Sequence, residues 1–241
     1  MADIYIGTSG WNYDHWKGAF YPEDLPKSDW LNHYCGQFDT VEVNNTFYNL
    51  PEPETLEDWV NRVPDNFTFA AKANRYITHM KKLNEPKESL ENMLEVFGAF
   101  GNKLKPILFQ LPPNWNFNED RLRNFLNLLP DDQLTTFEFR DESWINDTAL
   151  SILEENGAAF CIYDLAGYQS PFEVTAEFVY VRLHGPTDQK YKGKYGKDQL
   201  AWWADRLREW RADGKDVYLY FDNDEQGFAP QNALELKDMV E

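Results

Sequence analysis

Apolar and polar positions along the chain fall into short alternating runs separated by longer stretches of helical spacing. The runs cover residues 4–9, 40–44, 67–72, 107–111, 136–140, 159–164, 178–184 and 217–222, each rich in β-branched or aromatic side chains. Between them, helical periodicity is clearest over 54–62, 89–103, 119–129, 148–155 and 198–211, and a last amphipathic stretch covers 231–240. Strand and helix therefore alternate throughout, the signature of a parallel α/β sheet. Eight strands within 241 residues predict an α/β fold of the closed kind, a single-domain (β/α)8 TIM-type barrel over residues 1–241. An open doubly wound sheet is the competing arrangement. No GxGxxG or GxxxxGK[ST] turn follows the first strand, as a nucleotide-binding open sheet would usually show.

A strand inside a barrel shows alternate residues to the surrounding helices and to the bore. Sorting each strand by its apolar parity sends Val41, Val43, Phe137, Phe139, Val179, Val181, Leu183, Val217, Leu219 and Phe221 outward. The inward set is then Glu42 and Asn44, Ala70, Lys72 and Asn74, Leu108 and Gln110, Thr136, Glu138 and Arg140, Tyr180, Arg182 and His184, and Tyr218, Tyr220 and Asp222. Strand six is expected to point Ile162 and Asp164 inward and Cys161 toward the helices. The polar members gather at the C-terminal strand ends, the rim where barrel enzymes build their active sites.

The formal net charge of −18 opposes non-specific adhesion to nucleic acid or anionic lipid. Positive charge is nevertheless concentrated after two strands, with +4 over residues 72–87 and +3 over residues 184–197. A focused basic patch inside an acidic shell draws an anionic ligand to one face. No secretory or membrane-spanning pattern is present in MADIYIGTSG or beyond it, so a soluble cytoplasmic protein with no membrane partner is expected. Cys35 and Cys161 are too few for a disulfide framework and are read as buried thiols.

Seven stretches occur in an order that resembles one family: TSGWNYDHWKGAFYP, TVEVNNTFYNLP, FAAKANRYITH, LFQLPPNW, FEFRDESW, YVRLHG and the YFDND and GFAPQNA ending. The chain is similar along essentially its whole length to the domain-of-unknown-function 72 (YecE-like) family. The resemblance implies a TIM-type barrel and lends no biochemical activity. Two positions depart from the family pattern, with Asp222 where Phe-Asn-Asn is expected and Asp141 where histidine is frequent. The chain therefore offers a carboxylate, not an amide, at 222 and a carboxylate, not an imidazole, at 141.

Glu42, Glu138 and Asp222 come from three strands and, with His184, are the candidate catalytic groups, Glu42 or Glu138 as base. The ligand-binding candidates are Trp11, Asn44, Tyr48, Lys72, Asn74, Gln110, Arg140, Arg182, Lys192, Lys194, Tyr195 and Asn223. Together they suit hydrolase-type chemistry on an anionic, phosphate-containing ligand, with the lysine-rich loop after strand seven as the phosphate cradle. A non-catalytic protein binding single-stranded nucleic acid or a phosphometabolite is the alternative, through Tyr191 and Tyr195 stacked among lysines. Carbohydrate hydrolysis by paired carboxylates is a third reading. The bland reading has the same ions pairing to plug the barrel. No cofactor is predicted. His15, His79 and His184 form no close-spaced pair, and one Mg²⁺ or Mn²⁺ on Glu42, Glu138 or Asp222 is the metal arrangement the ligand types allow.

Overall fold

The computed structural model describes residues 2–240. Strands β1 (Ile4–Thr8), β2 (Thr40–Val43), β3 (Thr68–Lys72), β4 (Leu104–Gln110), β5 (Thr135–Glu138), β6 (Ala159–Leu165), β8 (Phe178–Leu183) and β9 (Asp216–Phe221) run in the order β1-β9-β8-β6-β5-β4-β3-β2. Every pairing along that path is parallel, and β7 (Tyr168–Gln169) adds only a short antiparallel hairpin on β6. The sheet nearly closes on itself as an α/β TIM-type barrel. Among the described residues no helix is long and apolar enough to cross a membrane.

The seam between β1 and β2 is held differently from the rest. A single bridge joins Ser9 to Glu42. Below it, helix α1 (Trp30–Cys35) supplies Tyr34, whose hydroxyl accepts from the Thr8 amide at 3.0 Å and donates to the Thr40 carbonyl at 3.1 Å. One buried phenol thus takes up backbone groups that a regular ladder would pair. Gly7 permits the approach, because a Cβ there would stand 2.4 Å from the Thr40 carbonyl oxygen.

Helices α3 (Pro53–Arg62), α4 (Lys87–Phe97), α5 (Glu119–Leu126), α6 (Asp147–Glu155), α7 (Lys197–Ala212) and α8 (Phe228–Val240) follow the predicted stretches. Asn118 and Asn146 cap α5 and α6 by accepting from Arg121 N and Ala149 N. The stretch 89–103 is not one helix: after Phe97 the chain tightens into a 3-10 segment, with Gly101 at φ 57° where a continuous α-helix cannot run. A short helix the periodicity did not mark, α2 (Asn45–Tyr48), directly follows β2.

The outer core takes Val41, Val43, Phe69, Ile107, Phe109, Phe137, Phe139, Val179, Val181, Val217, Leu219 and Phe221 against the helices. The bore is separately packed, with Ala70, Leu108, Phe178, Tyr180, Tyr218 and Tyr220 filling it from its N-terminal end. Strand six departs from the parity expectation. Ile162 lies in the outer core while Cys161 lies in the bore, its Sγ 3.9 Å from Glu138 Oε2. Cys161 is small enough to sit beneath the carboxylates, and Ile162 gains more by burial against helices.

Gly7→Ala should lower the free energy of unfolding by about 1–3 kcal/mol through overpacking at the seam. Tyr34→Phe should cost a similar amount by orphaning buried backbone groups, on the order of 1–3 kcal/mol. Urea denaturation checks both, and an unchanged midpoint for Gly7→Ala would remove the close-approach account of the seam.

Candidate active site

Arg182, on β8, organises the C-terminal mouth. It is 1% exposed and its guanidinium spends every N–H on neighbours. Nε and Nη2 grip Glu42 at 2.9 and 2.8 Å, Nη1 reaches Glu138 Oε2 at 2.8 Å, and Nη2 also reaches Asp222 Oδ2 at 3.1 Å. Strands β2, β5, β8 and the end of β9 are thus tied through one side chain. The parity that turned Arg182 inward also turned in the three carboxylates that make its burial tolerable.

Glu42 is saturated. Besides Arg182 it accepts from Ser9 Oγ at 2.7 Å, Asn44 Nδ2 at 3.1 Å and Tyr180 OH at 2.7 Å. Burial is the largest influence and pushes its pKa up, but the charge and hydrogen bonds of Arg182, with Lys72 beyond, together hold the carboxyl below its ordinary value. Glu138 is also fully buried, and Arg140, Arg182 and their neighbours overcome its desolvation to hold it well below the usual carboxylate range. These two carboxylates make poor bases: one has no lone pair left, and both are strongly stabilised as anions. The hydrogen bonding of Glu42 and Glu138 thus gives no support to the expectation that either serves as base.

His184 is placed differently. Its Nδ1 is 2.9 Å from Asp222 Oδ2, while Nε2 faces Arg140 Nη2 at 3.0 Å and Arg182 Nη1 at 3.4 Å. Guanidinium groups only donate, so Nε2 accepts and the ring proton sits on Nδ1, donated to Asp222. Burial, then Arg182, lowers the imidazole pKa from 6.5 to about 4, so His184 is neutral at pH 7. Asp222 is the accessible carboxylate, its side chain 16% exposed, and despite burial it is held below its ordinary pKa first by Arg182 and then by His184.

Two cations keep donors in reserve. Arg140 spends Nε on Glu138 and one Nη2 hydrogen on His184, and lies 5.2 Å from the Tyr163 ring centre. Lys72, at the end of β3, has no carboxylate within 4 Å and no hydrogen-bond acceptor in reach among the described residues; its Nζ rests 4.5 Å from the Phe47 ring centre. Arg140 opens into a cavity of about 390 Å³, lined also by Gln110, Glu142, Tyr163, Tyr168, Lys190 and Tyr191. That volume lies within the range of small-molecule sites. Tyr191, which lines the cavity, stands edge-on to His184 at 5.5 Å on a backbone at φ 65°.

The remaining sequence candidates divide by contact. Asn44 and Gln110 belong to the mouth. Asn74 caps the turn after β3, accepting from Tyr76 N and donating to the Thr46 carbonyl, and it lines a shallow pocket with the exposed Tyr48. Trp11 is not a stacking wall, since it packs edge-on against Trp59 in the outer core. Tyr195 is 2% exposed and its hydroxyl is committed to Gly185 N and Asp164, so it offers no open face. Lys194 reaches Glu235 on α8 at 2.7 Å, and Lys192 stands 3.9 Å from Glu225. Asn223 is fully buried and ties Gly193 to Asn232, so it braces the lysine loop from beneath.

Ser9 and Tyr163 were not among the sequence candidates, whereas Tyr191 and Lys190 belong to the basic loop already singled out and Tyr180 to the inward set. Tyr163 was hidden by the inverted parity of β6. The arginine fork occupies the centre of the carboxylates, where a cation would otherwise sit, and among the described residues no cluster of three His, Cys, Asp or Glu side chains is disposed around a common metal position.

The chain belongs to the family described as "Protein of unknown function DUF72", which it matches over residues 5–241. It is 26% identical over 270 residues to the UPF0759 protein YunF of Bacillus subtilis, covering 99% of this chain and 95% of that protein. The crystal structure of a DUF72 family protein from Thermotoga maritima superposes with a TM-score of 0.88 at 28% identity, covering 99% of both chains. A glycoside hydrolase family 5 enzyme from Prevotella bryantii matches at a TM-score of 0.51 and 10% identity, a likeness of fold alone.

Because His184 is lowered to about 4 from 6.5, the unfolded chain binds more protons than the native one between those values. Its contribution is complete above pH 6.5 and shrinks as pH falls toward 4. Half-buried His79, also lowered to about 4, acts in the same direction. Stability measured by urea denaturation should fall from pH 7 to pH 4.5, and His184→Gln should make that dependence shallower. An equal slope in the variant would place the imidazole outside this network.

Proposed function

We propose that the mouth binds a small anionic, phosphate-bearing molecule with a ring or other flat portion, and that His184 with Asp222 supplies hydrolase-type acid–base chemistry to it. The observation that carries this is the distribution of unused hydrogen-bonding capacity. Glu42 and Glu138 are committed to arginine, whereas Arg140 retains free N–H donors directed at a cavity that also receives Lys190. A site left with donors and positive charge selects an anion. Tyr163, Tyr168 and Tyr191 on its walls suit a flat group beside that charge.

The same contact couples binding to chemistry. An Arg140 N–H occupies the His184 lone pair. An anion that draws Arg140 toward itself removes the shorter of the two N–H contacts on Nε2, leaving the longer one from Arg182, and the added negative charge raises the basicity of the imidazole. His184 then takes a proton from a water whose oxygen bonds to phosphorus, as the ester P–O bond breaks and its electron pair leaves with the alcohol or phenol oxygen. Asp222 holds the ring tautomer and steadies the imidazolium, which afterwards returns the proton to solvent or to the leaving oxygen. Carbohydrate hydrolysis is less well supported, since it needs a carboxyl kept protonated, and Glu42, Glu138 and Asp222 are all displaced toward the ionised form. Nucleic-acid binding loses support because Lys194 and Lys192 face glutamates.

p-Nitrophenyl phosphate tests both halves. It should bind and be hydrolysed; Arg140→Ala should weaken binding roughly tenfold, as expected for one lost charge-assisted contact. His184→Asn should keep the affinity within about threefold and lose at least ~100-fold in turnover, the usual scale for a general base. Absence of binding by this compound and by inorganic phosphate at millimolar concentration would remove the anion reading.

A further inference from the structure

The hairpin of β6 and β7 has a cavity on each side. Tyr163, Leu165 and Tyr168 line the Arg140 cavity, whereas Asp164 and Gln169 line another of about 350 Å³ together with Asp198, Trp202 and Trp203 of α7. The two cavities share no lining residue. Asp164 was expected in the bore, but the inverted parity that sends Ile162 to the outer core turns Asp164 toward α7 as well.

The second cavity is the opposite of the first in what it leaves unused. No lysine or arginine lines it. Asp164 Oδ2 accepts from Tyr195 OH at 3.0 Å, while Oδ1 has no hydrogen-bond partner and neither Asp164 nor Asp198 has a basic group within 4 Å among the described residues. Asp198 is accounted for by its place in the first turn of α7, where an acidic group suits the helix dipole. Asp164 is not: it comes from a strand end, it is half-buried, and burial raises its pKa with no cation to oppose the rise. Gln169 spends its amide N–H groups on the Tyr163 and Ser170 carbonyls, which leaves Oε1 as a further acceptor. The remaining wall is aromatic, with Trp202 and Trp203 edge to face at 5.1 Å and Trp202 45% exposed. The Trp202 ring already carries one cation, the Arg206 guanidinium 5.5 Å from its centre; Arg206 is paired with Glu209 and does not line the cavity.

We propose that this cavity binds a small organic ammonium compound, its cationic nitrogen held between the Asp164 carboxylate and the Trp202 and Trp203 rings. Unspent acceptors and indole faces select a cation, as unspent donors select an anion on the other side of the hairpin. A quaternary ammonium suits the wall because its methyl groups pack on the indoles and it has no N–H groups to satisfy. A hard metal ion would need more oxygen ligands than two carboxylates and one amide supply. The Trp203 indole N–H, in a side chain 3% exposed, has no hydrogen-bond partner among the described residues and is left for an oxygen of the ligand. The inference does not depend on the anion reading, since none of these residues belongs to the Arg140 cavity.

The test titrates choline into the full chain and follows the tryptophan indole N–H signals by NMR. The Trp202 and Trp203 signals, assigned through Trp202→Phe and Trp203→Phe, should shift saturably at roughly millimolar choline. Dimethylbutanol, the carbon isostere of choline without its charge, should bind at least ~10-fold more weakly. Asp164→Asn, whose amide oxygen can still accept from Tyr195, should weaken choline binding about tenfold, and Trp202→Ala roughly 3- to 10-fold. No saturable shift below ~100 mM choline, equal affinity for the uncharged isostere, or undiminished affinity in Asp164→Asn would each overturn the proposal. The isostere comparison uses the unaltered protein, so it decides the matter even where a variant fails to fold.

Discussion

A single buried guanidinium sets the conditions for everything at the C-terminal face. Arg182 would be intolerable in the bore without counter-charges, and Glu42, Glu138 and Asp222 would each be protonated or expelled without it. Their mutual dependence fixes the relative positions of four strand ends. It also explains the saturation of Glu42, whose remaining lone pairs take Ser9, Asn44 and Tyr180. Removing one partner from such a cluster typically costs about 3–5 kcal/mol because it strands the others.

What the clamp consumes decides what remains for a ligand. Two carboxylates are spent on structure, the imidazole is neutral with its acceptor nitrogen covered by Arg140 and Arg182, and the free capacity is cationic. The bland expectation that the inward ions pair and plug the barrel is thus correct for Glu42 and Arg182. Arg140 and Asp222 are paired as well, with Glu138 and with Arg182 and His184, but Arg140 keeps N–H donors beside the cavity, and Lys72 has no carboxylate within 4 Å among the described residues.

The fold was largely legible because barrel strands carry two independent signals, length and parity. Period two assigned Tyr180, Arg182 and His184 to the bore and Val179, Val181 and Leu183 to the helices, as the packing has them. Strand β6 misled because Cys161 and Ile162 are both apolar, so alternation carries no information there. The family resemblance agreed with the match over residues 5–241. The site was legible in its ingredients but not in its roles. Which carboxylate Arg182 grips twice, that Tyr195 turns inward to Asp164, and that Lys194 reaches Glu235 are products of loop geometry, which no periodicity encodes. Aromatic richness in the first loop likewise could not distinguish Trp11 packed on Trp59 from a ligand-facing ring.

The clamp is tested most directly by carboxyl carbon NMR of glutamate-labelled protein, followed from pH 8 down to the acid limit of the folded state. Glu42 and Glu138 should remain ionised throughout, with no inflection at the ordinary value of 4.5 or above. Uptake of a proton by either carboxyl above pH 5 would contradict the account, since it would mean that desolvation outweighs Arg182 and that an acid, not a locked anion, stands at the floor of the mouth.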